Sequence, residues 1–356
     1  MHELVVNLHI HSVYSDGNAT HNEILSTASQ AGIDVVIVTD HNLLVQGVES
    51  YHKNNNRLTL LLTGEEVHNR SSAHNHKGHL LVFNAGQEMS AYGSHPRRLI
   101  QQISLAGGMS FIAHPFESAM PEFHEGAYSW GDWDVRGFTG LEIWNGLSEL
   151  KSNGRPPWRA LLYALVPQLL ARAPYPETIQ KWDELTAAGQ TVVAIGGSDA
   201  HAMTKHFGIF SRVIFPYAYH FQAINTHILC PQPLSGDLDA DQAMIYDALR
   251  QGHAFVGYDL PFSTRGFRFT AQGVQGTALM GDHMRINGSS VTLQVRLPVR
   301  AHCRLLRNGK VIYKWKNRES FAHITNQPGV YRLEASLPYL GRRRNWIYSN
   351  PIYLSA

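Results

Sequence analysis

Only two cysteines, Cys230 and Cys303, occur in the 356 residues. They lie far apart and form no CxxC pair, which excludes a disulfide framework and a cysteine zinc site. A reducing compartment is the natural setting. Charge is also scarce, at 16% of residues against the roughly 25% usual for soluble domains. That argues for a large buried core and against a disordered or supercharged chain. The formal net charge of +2 provides no global basic field to hold long nucleic acid. Long apolar runs are missing too. The N-terminus lacks a basic n-region, and LVVNLHI is too short and polar for a signal segment. The most apolar later run, WRALLYALVPQLLA (158–171), falls short of the roughly 20 residues a bilayer span needs. It also contains Pro167, which ends or kinks a helix. A soluble, cytoplasmic protein without a membrane partner is expected; the oligomeric state stays open.

What the chain does have is histidine, 21 residues against 28 carboxylates. Its length suggests about two domains at roughly 150 residues each. Up to about residue 260, short apolar strands alternate with helices. Strands are expected at 4–10, 34–40, 58–63, 80–83, 110–113, 140–144 and 192–195, with helices at 96–106 and 177–188. Thr20 and Glu23 form a capping-box signature for a helix after the first strand. Continuous apolar strands separated by helices indicate a parallel sheet covered on both faces or closed into a barrel. Residues 117–136, with Trp130 and Trp133, read as a polar-aromatic loop opening an insertion over about 117–190. Both tryptophans are candidates for a substrate wall or lid, with ordinary core packing the equal alternative. From 261 to 356 the pattern turns to alternation, with Asn308-Gly309 as a type I′ hairpin turn, and a small antiparallel β-sandwich is expected. Arg342, Arg343 and Arg344 read as a solvated turn of that domain.

In a parallel α/β barrel, active-site groups come from the C-terminal ends of successive strands. Here the first strand presents His9 and His11, at positions that share one face of a regular strand, and then Asp16. The later runs give Asp40 and His41 in TDHN, then Glu65, Glu66 and His68 in TGEEVH. His79 precedes a strand, and His114 comes after one in FIAHPF. Glu142 and Asn145 come from GLEIWNG, and Asp199 and His201 from GGSDAH. Burying so many ionisable groups together is costly unless something compensates. Divalent ions do so, because imidazole and carboxylate ligate zinc, manganese and iron alike. The number of ligands exceeds what one ion needs, so two or three ions sharing a carboxylate are expected. His68, His74, His76 and His95 read as solvated loop residues. Asp40 reads as a hydrogen-bond acceptor behind a histidine ligand. Lys205, His206 and Arg155 are candidates for meeting a substrate anion.

The ordered motifs HIHSVYSDG, TDHN, GEEV with GHLLVF, AHP and GSDAH resemble the PHP (polymerase and histidinol phosphatase) superfamily. GEEV…GH, YDALRQGHAFVG and the closing SNPIYL resemble its CehA/McbA branch, named for a carbaryl hydrolase. The resemblance implies a distorted (β/α)7 TIM-like barrel over 1–260 with a metal cluster at its C-terminal rim. It implies one ion on His9, His11, Glu66 and Asp199, and a second on Glu66, His79 and His114. A third would sit on Asp16, His41 and His201. Glu66 rather than Glu65 fits the G-x-E pattern. The amidohydrolase (β/α)8 family also opens with HxH, but TDH and the terminal Asp-x-His favour the PHP resemblance.

A cluster of this kind implies hydrolysis by a metal-bridging hydroxide. Glu66 would bridge, and Asp199 or His201 would carry the proton to the leaving group. The expected substrate is a small phosphate mono- or diester. A carbamate, carboxylic ester or amide hydrolase is the alternative, and a metal-stabilised module without turnover a lesser one.

Overall fold

The computed structural model describes residues 1–70, 78–120, 126–154, 157–207 and 210–356. Its first strands are β1 (His2–Ile10), β2 (Val35–Val38), β3 (Ser50–Asn54), β4 (Arg57–Val67), β5 (Leu80–Phe83), β6 (Met109–Ile112), β7 (Gly140–Asn145) and β8 (Val193–Gly197). β9 (Thr204–Phe207), β10 (Phe210–Val213), β11 (Ile224–Cys230) and β12 (Ala254–Tyr258) come next. The helices are α1 (His21–Ala31), α2 (Pro96–Leu105), α3 (Gly146–Asn153), α4 (Pro157–Leu165), α5 (Pro176–Ala187), α6 (Tyr217–Gln222) and α7 (Leu238–Gln251). α1 starts as the sequence predicts. The Thr20 hydroxyl accepts from Glu23 N at 3.3 Å, and the Glu23 carboxylate accepts from Thr20 N at 2.8 Å.

Strand pairing explains where the site lies. β1, β2 and β4 pair in parallel, as do β6, β7 and β8. β5 joins the two sets and is antiparallel to both β4 and β6. The ladder then returns to its first strand. Ser198 N donates to Leu8 O at 3.1 Å, and His11 N donates to Ala200 O at 2.9 Å. One face of these strands carries Leu4, Val6, Leu8, Ile37, Leu62, Phe83, Phe111 and Ile195, which form a single buried cluster with Ile245 and Leu249 of α7. The opposite face of β1 and β2 packs on α1, and that of β6 to β8 on α2 and α5. Both faces are therefore apolar, which is why the strands read as continuous hydrophobic runs.

The C-terminal strands are β13 (Arg268–Gly273), β14 (Gly276–Leu279), β15 (His283–Arg285), β16 (Val291–Arg307), β17 (Lys310–Thr325), β18 (Gly329–Tyr339), β19 (Arg342–Ser349) and β20 (Ile352–Ser355). Their pairing is antiparallel except between β15 and β20. Asn308 and Gly309, both at positive φ, turn β16 into β17. This unit is joined to the α/β part by hydrogen bonding, since β19 pairs with β12. Asn350, fully buried, accepts from Ala194 N at 2.7 Å and donates to Ala194 O and Ala254 O at 2.9 and 3.1 Å. The Arg332 guanidinium reaches across to both oxygens of Asp183 on α5, each at 2.7 Å.

Of the three arginines expected on a solvated turn, Arg344 departs from that expectation. It is buried and donates to the carbonyls of Leu169 and Ala171, so it anchors the chain after α4, whereas Arg342 and Arg343 are exposed.

Candidate metal centre

Glu66, near the end of β4, organises the site. It is fully buried, and five histidines surround its two oxygens. Oε2 lies 3.2 Å from His9 Nε2, 3.2 Å from His11 Nε2 and 3.1 Å from His41 Nδ1. Oε1 lies 2.6 Å from His79 Nδ1 and 3.2 Å from His114 Nε2. Asp199 Oδ1 approaches His9 Nε2 at 3.5 Å and His11 Nε2 at 3.3 Å. Asp16 Oδ2 faces His201 Nε2 at 3.3 Å and His41 Nε2 at 3.6 Å. The Asp16 carboxylate is 53% exposed while Glu66 and His9 are sealed, so the cluster opens to solvent on the Asp16 side. Glu65 points away, accepts from Met89 N at 2.8 Å, and is pushed by burial up to about 7. All nine residues singled out as ligands therefore meet in one place.

The backbone bends to achieve this. His9 sits at φ 67° where the β1–β2 register slips between Leu8 and Ile10. The regular alternation expected of His9 and His11 is thus replaced by a bulge, with His11 just past the strand end. His114 and Asp199 are also at positive φ, 27° and 53°. Non-glycine residues there cost roughly 1–3 kcal/mol each and cluster at functional sites. His79 precedes its strand because β5 runs antiparallel, which brings its N-terminal end level with the C-terminal ends of β4 and β6.

Two glycines leave room for this packing. A Cβ on Gly17 would lie 2.1 Å from His11 O, so the turn carrying Asp16 closes tightly only with glycine. A Cβ on Gly197 would lie 1.9 Å from Glu142 Oε1. Glu142 belongs to the strand-end groups noticed in the sequence, yet nothing there assigned it a role. Its Oε1 accepts from His9 Nδ1 at 2.8 Å; its Oε2 accepts from His114 N at 2.8 Å and Asn145 Nδ2 at 3.0 Å. That bond fixes His9 with its proton on Nδ1 and leaves Nε2 facing Glu66 and Asp199. His201 is held similarly, its Nδ1 donating to Asp199 O at 2.9 Å.

Asp40 does not back a histidine ligand as expected. It accepts from Ser12 N, Ser12 Oγ and Ser15 Oγ, each at 2.7 Å, and so orders the loop that carries Asp16.

Burial disfavours ionisation throughout, but mutual charge overrides it at most positions. Glu142, Glu66 and Asp199 hold His9 well above the ordinary imidazole value. The Asp199 and Glu66 carboxylates beside it raise His11 to about 9. His114 reaches about 9 through the Glu117 charge and its bond to Glu66. The His9, His41 and His79 charges keep Glu66 well below the carboxylate range, and His9 does the same first for Asp199. Of these four histidines His41 is the one driven down, to about 3, chiefly by burial.

Cations fit this arrangement. His9 Nε2, His11 Nε2, His41 Nδ1, His114 Nδ1 and Glu66 Oε2 are buried without a hydrogen-bond partner among the described residues. Ring nitrogens and carboxylate oxygens 3.1–3.5 Å apart need a proton or a cation between them, and the raised His9, His11 and His114 mark the same demand for positive charge. Four overlapping sets converge closely enough to share an ion. They are His11–Asp16–His41–His201, His9–His114–Asp199, His9–His11–Glu66 and His41–Glu66–His79.

Trp130 is buried against Val67 and Leu80, and Trp133 stacks on Phe116 with Lys181 over its ring. The ring beside the cluster is Tyr128, 5.2 Å from His79. Under it lies Lys151, buried, 3.0 Å from Glu117 and 4.7 Å from the Tyr128 ring. Sequence reading missed this group, since a Glu, a Tyr and a Lys spread over two segments leave no spacing signal. His68, expected in solvent, is half-buried and stacks on His79 at 4.8 Å. Lys205 and His206 lie on β9 with side chains outside the described set, and Arg155, His74 and His76 lie outside the described residues.

Residues 7–128 match the PHP domain. The PHP match covers every candidate ligand from His9 to His114, and Asp199 and His201 lie beyond it. No curated protein matches the chain. Among solved structures, a two-domain protein from Bacteroides vulgatus containing a "predicted PHP-like metal-dependent phosphoesterase" is 15% identical, over 98% of this chain and 95% of that one, at a TM-score of 0.43. A candidate metal-dependent phosphoesterase from Bifidobacterium adolescentis is 15% identical over 60% of this chain and 93% of the other, TM-score 0.35. An amidohydrolase from Chromobacterium violaceum with bound sulfate is 14% identical over 61% and 95%, TM-score 0.29. No helix among the described residues is long and apolar enough to cross a membrane.

Proposed function

We propose that the chain is a metal-dependent hydrolase of the PHP superfamily, acting on a small phosphate mono- or diester. The scaffold would be a distorted (β/α)7 barrel over 1–260, with 261–356 as a β-domain continuous with it. The observation that carries this reading is the set of buried, partnerless nitrogens turned toward Glu66 and Asp199. His9, His11, His41, His79, His114, His201, Asp16, Glu66 and Asp199 would hold two or three divalent ions of zinc, manganese or iron. Bound ions supply concentrated positive charge for the oxygens of the attacked group and make hydroxide available at neutral pH.

The chain's own groups do the rest. Glu142 keeps the His9 proton on Nδ1, and the Asp199 carbonyl does so for His201. With the His201 nitrogens taken up by the Asp199 carbonyl and by an ion, Asp199 would carry the proton to a leaving oxygen. A buried cluster that opens to solvent on the Asp16 side suits a small ester better than a long polymer.

The test is a side-by-side assay of an aryl phosphate, an aryl phosphodiester, an aryl carboxylic ester and an aryl carbamate, with manganese. Turnover led by a phosphate substrate is expected. Turnover confined to the carbamate or carboxylic ester would replace the phosphoesterase reading with the branch's hydrolase chemistry.

A further inference from the structure

The C-terminal strands carry a second feature that the metal cluster does not use. Between β16, β17, β18 and β19 lies a cavity of about 270 Å³, with Arg304, Lys314, Lys316, Glu334, Arg343 and Asn345 in its lining. Strand register puts these side chains on one face. Arg304 stands opposite both Lys314 and Glu334, and Asn345 opposite Ser336, while Lys314 and Lys316 are two residues apart. Trp315, between the two lysines, borders the cavity too while packing on the core of the β-unit.

Charge in this cavity is one-sided. It holds four cations and one carboxylate, and Glu334 is already shared by Arg304 and the buried Arg332. Lys314, Lys316 and Arg343 make no ion pair among the described residues and are exposed. Like charges brought together on a concave surface repel one another unless a counter-ion joins them, and such a surface focuses field on small anions. Because the whole chain carries only +2, this concentration is local and not a by-product of a basic protein.

We propose that this cavity is a binding site for a compact polyanion bearing phosphate groups, separate from the metal cluster. Two lysines supply point charges, the Arg304 and Arg343 guanidinium groups supply forked donors suited to phosphate oxygens, and the Asn345 amide adds a neutral contact. The cavity is open to solvent, and its volume suits a ligand of diphosphate size. This site does not rest on the proposed catalysis, and its test is run without the metals.

The experiment is calorimetric titration of the full chain, stripped of metal by chelator and dialysed, with inorganic pyrophosphate and, separately, citrate. Pyrophosphate is expected to bind the metal-free protein and to bind the Lys314→Ala/Lys316→Ala variant about tenfold or more weakly. Arg343→Ala, on a different strand, should weaken it as well, with both variants melting like the parent. Absence of pyrophosphate binding, or equal affinity in parent and double variant, overturns the proposal. Citrate binding as tightly as pyrophosphate overturns the phosphate assignment.

Discussion

Replacing Glu142 by Gln tests how the cluster is kept ready for cations. The swap preserves size and removes one charge. All three groups around the carboxylate are donors: His9 Nδ1–H, His114 N–H and Asn145 Nδ2–H. An amide has one acceptor oxygen, so its NH₂ must face at least one of them. Turned toward the Oε2 side it would oppose two donors, so it settles toward His9. There it donates to Nδ1 and forces the histidine proton onto Nε2, the atom 3.2 Å from Glu66 and 3.5 Å from Asp199. His9 is then lost as a ligand although it has not been touched. Changes behind a metal ligand cost about 10–100-fold in metal affinity or activity, or roughly 1.4–2.7 kcal/mol. Metal titration followed by kcat/KM on an aryl phosphate measures both, with circular dichroism as the control for folding. Metal affinity equal to that of the parent would refute the idea that Glu142 sets the His9 tautomer.

Three other perturbations have defined outcomes. Gly197→Ala places a Cβ within 1.9 Å of Glu142 Oε1 and 2.9 Å of His9 Cβ. It should reproduce the Glu142→Gln defect in metal titration, and unchanged affinity would mean that the carboxylate tolerates displacement. Asn350→Ala strips partners from Ala194 N–H and two buried carbonyls, and chemical denaturation should show a loss of roughly 2–3 kcal/mol. His227, fully buried, contacts Glu3 at 2.8 Å and Asp259 at 3.0 Å; burial opposes its charge, but these carboxylates raise it to about 9 from 6.5. Its stabilisation is therefore complete below about pH 6.5 and lost as pH rises through 9. Between these values the parent should lose more stability than His227→Gln, and parallel curves would contradict the assignment.

The sequence revealed the site better than it revealed how the site is held. Apolar runs marked the strands because both faces of the sheet are covered, and the polar residues flanking those runs included all nine candidate ligands. The bulge at His9 was not legible, because bond rotation at one residue leaves no trace in hydrophobic alternation. The reversal of β5 was hidden for a related reason: four buried residues read alike in either direction. Glu142 was visible only as one more carboxylate on a strand end, since its value depends on donors from β1, β6 and β7. Arg344 shows the limit of local reading. Three adjacent arginines look alike in sequence, yet strand register exposes Arg343 and turns Arg344 inward to the carbonyls of Leu169 and Ala171. Trp130 and Trp133 were singled out as the tryptophans of a long polar loop, while Tyr128 of the same loop took the place beside His79.

If the histidines around Glu66 exist to hold cations, the ions themselves should be found with the protein. Elemental analysis of protein purified without chelator, then chelation and metal return, is the decisive check. About two to three first-row divalent ions per chain are expected, with hydrolytic activity lost on their removal and restored by manganese or zinc. A chain that contains no such ions and takes up none when they are supplied would contradict the assignment of a metal centre.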